Sequence, residues 1–235
     1  GDRSRNATAT SSRHTSSAGS RPSTIPQNTQ PLASLTLATF AHAARVRRCD
    51  DLAMSTPRIA PVSDPSPEVI ELYEKGGLRA PGGQPLNIFA TLANHPSLLR
   101  RWLVFATHVL AKNTLSPRDR ELLILRVGVR CNSAYEFGQH HVIAQRSDIT
   151  VDEIERVKAG PDDPSWAPFD AALLRAADEL HDDSRISDAT WAVLAERYST
   201  EQLLDVVFTV GQYHLVSMAL NTCGVELDDG IPDTL

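Results

Sequence analysis

SPRDRELLILRVGVRCNSAYEFGQHH, residues 116–141, decides how this chain is read. Two helix signatures stand here almost back to back. Ser116 is followed by Pro117 and Asp119, an N-cap with proline at the first helical position and an acid at the third. The stretch ELLILRVGVR that follows is apolar nearly all round, which predicts a central, buried helix. A second helix begins near Ser133. Ser133, Glu136 and His140 stand at i, i+3 and i+7, one stripe of a helix that turns about 100° per residue. Glu136 and His140, one turn apart on that stripe, are an acid and a base placed for proton transfer to or from carbon.

Plainer readings of the same residues stand beside this one. Ser133-x-x-Glu136 also spells a capping box, in which Glu136 only closes the helix start. Glu136 and His140 at i, i+4 also make an ordinary pair on a solvated face. Glu121, set among Leu and Ile, needs a partner or a shifted pKa if it is buried. In the first turn of its helix it would simply complement the helix dipole. From the residues alone these alternatives stay open.

Working outward, the chain reads as helix after helix. Ser66-Pro67-Glu68 opens one that ends near Gly76-Gly77, and the Gly- and Pro-rich residues 78–85 form a loop. A short helix over residues 87–93 closes at His95-Pro96. Residues 98–111 continue as an apolar helix with Trp102, Phe105 and Val109 on one side. Thr150-x-x-Glu153 caps a helix that stops at Gly160, residues 169–182 carry a clear amphipathic period, and Ser187 starts the next. Ser199-x-x-Gln202 caps the last long helix, from residue 201 to about 223. No alternating strand pattern and no Asn-Gly or Asp-Gly hairpin signal is found, which removes the Rossmann and P-loop folds. The expected architecture is all-α, a compact bundle of seven or eight helices.

The chain has 235 residues. Residues 1–53 are rich in Ser, Thr, Arg and Pro and too poor in large apolar residues to offset their ordering entropy. We read them as a disordered or upstream extension and residues 54–235 as the helical domain. The whole chain carries −6 and residues 1–53 carry +4 (seven Arg against three Asp), so the remainder carries −10. So acidic a body argues against a nucleic-acid surface. No uninterrupted apolar run approaches the ~18 residues of a membrane span. Cys49, Cys131 and Cys223 are irregularly spaced, forming neither a disulfide framework nor a zinc pattern, which suits a reducing cytoplasm.

Three stretches resemble the carboxymuconolactone decarboxylase family, which includes the alkylhydroperoxidase D-like proteins. They are residues 115–154, the segment DAALLRAADELHDD with TWAVLAERYSTEQLLDV, and QLLDVVFTVGQYHLVSMALNTCGVEL at the end. The motifs Arg-Glu-Leu-x-Ile-Leu-Arg, Tyr-Glu-Phe-Gly-Gln-His and Leu-Asn-Thr-x-Gly-Val-Glu-Leu carry the likeness, over roughly residues 88–227. The redox branch of that family uses Glu-x11-Cys-x2-Cys-x3-His. Here the same spacing reads Glu121-x11-Ser133-x2-Glu136-x3-His140. Both proton-handling positions remain and both cysteines are gone. Cys131 stands two residues too early and has no partner three residues on, so a disulfide-based peroxidase is disfavoured.

The resemblance implies a cofactor-free decarboxylase or related lyase on a small lactone-like or cyclic carboxylic acid. His140 would donate the proton, Glu136 would orient or recharge it, and Glu121 would complete the catalytic set. For substrate binding we expect Ser133, Arg126, Phe137, Trp102 and Asn221, with Phe105 near them. Arg126 would hold a substrate carboxylate, or else pair with Glu121 across one turn. His141 faces elsewhere on its helix, and no metal or other cofactor is expected. The family assembles as trimers or hexamers with pockets shared between chains, so a homotrimer or homohexamer is expected here. An alkylhydroperoxidase-type antioxidant with Cys131 as its thiol is the first competing reading. A non-enzymatic oligomer that binds a small molecule is the second.

Overall fold

The computed structural model describes residues 56–235, and the extension expected over residues 1–53 lies outside them. The described residues form α1 (Pro67–Gly76), α2 (Asn87–Leu92), α3 (Pro96–Thr107), a π turn (His108–Lys112), α4 (Pro117–Arg130) and α5 (Ala134–Gln145), followed by α6 (Val151–Ala159), α7 (Pro168–Asp183), α8 (Asp188–Ala195) and α9 (Thr200–Cys223). Among the described residues there is no strand, only an isolated bridge between Arg79 and Pro85. The all-α expectation holds, with nine α-helices among the described residues rather than seven or eight.

α4 is the axis of the fold. Ser116 accepts a hydrogen bond from the Asp119 amide and Pro117 occupies the first turn, as its sequence predicts. Leu122, Leu123, Ile124 and Leu125 are all fully buried, so two sides of the helix are packed. Leu123, Ile124 and Val127 meet Leu173 and Ala176 of α7 and Val206 and Val210 of α9. Leu122 and Leu125 meet Phe137 of α5, Ile154 of α6 and Trp166. Each such side chain contributes about 1.5–3 kcal/mol by leaving water, an upper figure because unfolded chains already bury some surface.

The turn between α4 and α5 sets the site. Asn132 adopts φ 48°, a left-handed conformation that asparagine tolerates better than most residues. Asn221 of α9 donates from its side-chain amide to the Cys131 carbonyl at 2.9 Å and fixes the turn from outside. Glycine at 128 lets the start of α5 close in, since a Cβ there would lie 3.3 Å from the Phe137 nitrogen. On the far side of α5 a Cβ on Gly138 would lie 2.7 Å from the Pro232 carbonyl oxygen, so the C-terminal segment crosses the helix at this point.

Two expectations are corrected. The apolar helix expected over residues 98–111 is α3 followed by the π turn. Asn113 accounts for part of the change, because its side chain donates to the Val109 carbonyl at 2.6 Å and ends the helix early. Trp102, Phe105 and Val109 also do not share one environment. Val109 is buried, Trp102 is half-buried, and Phe105 is exposed, stacked edge-on against Phe208 of α9. α3 lies at the periphery and turns Leu99 inward instead. By length and composition α9 is apolar enough to cross a bilayer, although its sequence is broken by polar residues. Half of its most apolar window is packed inside the protein.

Candidate active site

Glu121 of α4 and Glu136 of α5 hold His140 between them. Glu121 Oε2 lies 2.6 Å from His140 Nδ1, and Glu136 Oε1 lies 3.2 Å from Nε2. All three side chains are buried. Arg120 completes the cluster, donating to the other Glu121 oxygen from Nε and a terminal nitrogen, each at 3.1 Å. Two carboxylates are thus matched by one guanidinium and one imidazolium, the condition under which charge can be buried at all.

The charge states follow from these partners. Burial alone would keep His140 neutral, but the Glu121 and Glu136 carboxylates outweigh it and push its pKa up to about 10. His140 therefore rests as an imidazolium that donates from both ring nitrogens. Burial would raise the Glu121 pKa, yet the charges of His140 and Arg120 hold its carboxyl below its usual value. Tyr213 of α9 meets the imidazole edge-on, with ring centroids 5.0 Å apart. Burial and the two nearby carboxylates keep its phenol well above its ordinary pKa, so it stays neutral.

These shifts fix a pH dependence of stability. The folded pKa of His140 is raised, so its contribution is complete below about pH 6.5, its unfolded value, and is lost as pH rises through about 10. That of Glu121 is lowered, so its contribution is present above about pH 4.5 and lost as pH falls. The cluster should stabilise most between about pH 4.5 and 6.5. Melting temperature should then decline between about pH 7 and 10, and His140→Gln should flatten that decline. A wild-type protein and variant with parallel alkaline profiles would contradict this assignment.

Glu136 and His140 open onto a cavity of about 320 Å³ between α2, α3, the π turn, α5 and α9. That is the lower end of the size range of small-molecule sites. Its walls are mainly apolar, with Ile88, Phe89, Trp102, Leu103, Leu110 and Val216 among them. Thr107, Tyr135, Gln139, Gln212 and Tyr213 supply the other polar side chains. Gln212 is buried and its side-chain carbonyl oxygen has no partner within the protein. Tyr135 and Gln139 both donate to Asp228 Oδ2, Gln139 at 2.6 Å, while Asp228 Oδ1 accepts from the Asn87 amide at 2.8 Å. The C-terminal segment thereby holds two wall residues and the start of α2.

The expected site residues separate into two groups. Glu136, His140 and Trp102 line the cavity, and Glu121 stands behind His140. The other substrate-binding expectations are corrected. Arg126 does not face the cavity and does not pair with Glu121. Its guanidinium is bidentate to Asp178 at 2.6 and 2.8 Å and also donates to the Val157 carbonyl, because α7 places an acid opposite it. Phe137 points away from the cavity into the α4–α6 core, with the Lys158 ammonium over its ring. Asn221 is occupied with the α4–α5 turn. Ser133 is fully buried, lies outside the cavity wall, and makes no side-chain cap, so the capping-box alternative fails. His141 packs edge-on against Phe137, outside the wall.

Sequence reasoning passed over Arg120, Tyr135, Gln139 and Gln212. Part of the signal was present. Glu136, Gln139, His140 and Ile143 continue the stripe at i, i+3, i+4 and i+7, and all four line the cavity. Gln212, Tyr213 and Val216 repeat that spacing on α9.

The profile of the carboxymuconolactone decarboxylase family matches residues 96–179. No curated protein sequence matches the chain. Among solved structures, an uncharacterized peroxidase-related protein from Silicibacter sp. TM1040 is 15% identical, with 76% of this chain and 97% of that one covered, at a TM-score of 0.63. An alkylhydroperoxidase AhpD core protein from Ralstonia eutropha JMP134 is 20% identical over 69% of this chain and 84% of its own, at 0.59. The debrominase Bmp8 in complex with 2,3,4-tribromopyrrole is 12% identical over 74% and 94%, at 0.62. At these identities the likeness is one of fold. Residues 96–179 thus match the carboxymuconolactone decarboxylase family, and the described residues share the fold of alkylhydroperoxidase D-like structures.

Proposed function

We propose that this protein is a cofactor-independent proton-transfer enzyme acting at a carbon atom of a compact, mostly apolar cyclic substrate. Decarboxylation of a lactone-like acid is the form of that chemistry we expect. One observation carries the reading: an imidazole and a carboxylate 3.2 Å apart face the same cavity.

Loss of CO₂ breaks the bond from the carboxyl carbon to the ring and leaves its electron pair on the ring carbon. His140 then donates its Nε2 proton to that carbon, and a solvent proton, relayed by Glu136, restores the imidazolium. Glu121 keeps its own charge throughout and so favours the protonated ring before and after the transfer. Because Arg126 is committed to Asp178, no Lys or Arg lines the cavity among the described residues. A substrate carboxylate would therefore meet His140 itself. The unpartnered Gln212 oxygen offers an acceptor to a substrate hydroxyl or N–H. The pyrrole held by the debrominase of the same fold is of the compact ring size that such a cavity suits.

The antioxidant alternative finds little support. Cys131 ends α4 outside the cavity, and burial pushes its thiol pKa up, away from the thiolate that peroxide chemistry needs. A cytoplasmic homo-oligomer remains part of the proposal. Leu204, Phe208, Leu215 and Met218 leave an apolar face exposed on α9, as a subunit interface would require.

Incubating the protein in D₂O with a panel of lactone and unsaturated cyclic acids tests the reading. The expected result is CO₂ release with one deuteron on the ring carbon. Saturable binding without conversion across the panel would leave a small-molecule binder instead.

A further inference from the structure

We propose that Cys131, His181 and His214 form a binding site for one zinc ion, separate from the proton-transfer cavity. The three come from the end of α4, from α7 and from α9, the helices that build the principal core. None of them lines the cavity. Their spacing in sequence, 50 residues and then 33, matches no metal motif, and for that reason the chain's cysteines predict no such site.

Cys131 Sγ lies 4.0 Å from His181 Nδ1, His181 Nδ1 lies 2.7 Å from His214 Nε2, and all three ligand atoms fall within 4.8 Å of one another. A tetrahedral zinc with Zn–S of about 2.3 Å and Zn–N of about 2.0 Å spaces such ligands roughly 3.3–3.6 Å apart. The observed edges bracket that value, and small side-chain rotations close the difference. The remaining ring nitrogen of His214 donates to the Val210 carbonyl at 2.8 Å. That bond fixes the tautomer and leaves Nε2 with a free lone pair, the outer support that ligating histidines usually have. Ser217, one turn along α9, is fully buried beside Cys131. It is placed to donate to a metal-bound thiolate.

The charge balance is favourable. Arg130, the nearest fixed positive charge, is engaged by Asp182 at 2.5 Å and Asp178 at 3.6 Å. On binding, the Cys131 thiol loses its proton to solvent and its sulfur bonds the metal. His181 moves its proton to Nε2 and binds through Nδ1, and His214 binds through Nε2. Three protein ligands leave the fourth position to water. The ion would clamp the end of α4 to α7 and α9, just ahead of the turn that aims α5.

The test uses the full chain, stripped with a chelator. Zinc is titrated against a chromogenic competitor, and Co²⁺ is added as a spectroscopic probe. One Zn²⁺ per chain is expected, and Co²⁺ should show a thiolate charge-transfer band with tetrahedral ligand-field absorption. Cys131→Ser should abolish the band, and either it or His214→Gln should weaken zinc binding by at least about tenfold. His95→Gln, at an exposed histidine, should change neither readout. Zinc binding equal in wild type and variants, or a cobalt spectrum without the thiolate band, would overturn the site. Should Cys131→Ser fail to fold, the wild-type cobalt spectrum alone decides.

Discussion

His140→Gln lowers turnover by about 10²–10⁴-fold, the range that positioned proton transfer supplies, and weakens binding of an acid substrate as well, because no other cation lines the cavity among the described residues. Glutamine keeps an amide that donates to one of the two carboxylates, so the space stays filled. It carries no titratable proton and cannot protonate carbon. The substitution also removes one positive charge from a cluster that is neutral in the wild type, so Glu121 and Glu136 are left with Arg120 alone. Some stability is lost as well, and circular dichroism should confirm that the assayed protein is folded. Single-turnover rates separate the two effects, since loss of folded protein reduces amplitude and loss of chemistry reduces the rate constant. A folded variant within about threefold of wild-type turnover would remove His140 from the chemistry.

Glu121→Ala is expected to be the most destabilising change at the site. Glu121 is fully buried and bridges Arg120 on its own helix to His140 on α5. Without it, one guanidinium and one imidazolium lose their common counter-charge in a dry interior. Breaking a buried ion pair from one side costs about 3–5 kcal/mol, which for a domain of this size lowers the melting temperature by roughly 10 °C. Glu121→Gln retains an acceptor for His140 and should cost less. It nevertheless removes the strongest influence holding the imidazole protonated, so the alkaline limb of the pH–rate profile should move to lower pH. A double-mutant cycle between Glu121→Gln and His140→Gln should show strong coupling, and additive effects would mean that the two do not act together.

The helices were legible because each is marked locally. Ser116, Thr150 and Ser199 cap where their sequences predict, and the fully apolar run of α4 is buried as its pattern requires. The acid–imidazole core was legible from helical spacing and from the family's motif. What escaped depends on packing between distant segments. Arg126 reads as a carboxylate binder until α7 supplies Asp178, and Phe137, expected to bind substrate, packs into the α4–α6 core instead. Nothing local to Asn221 announces that its amide closes a turn some ninety residues earlier, between Cys131 and Asn132.

Asp228 gives the final stretch of the chain a hold on a pocket built far upstream. One carboxylate grips a tyrosine and a glutamine that also line the cavity, and steadies the first turn of a helix on the opposite wall. A change in these last few residues would thus reshape the rim of the pocket while leaving the buried acid–imidazole cluster intact.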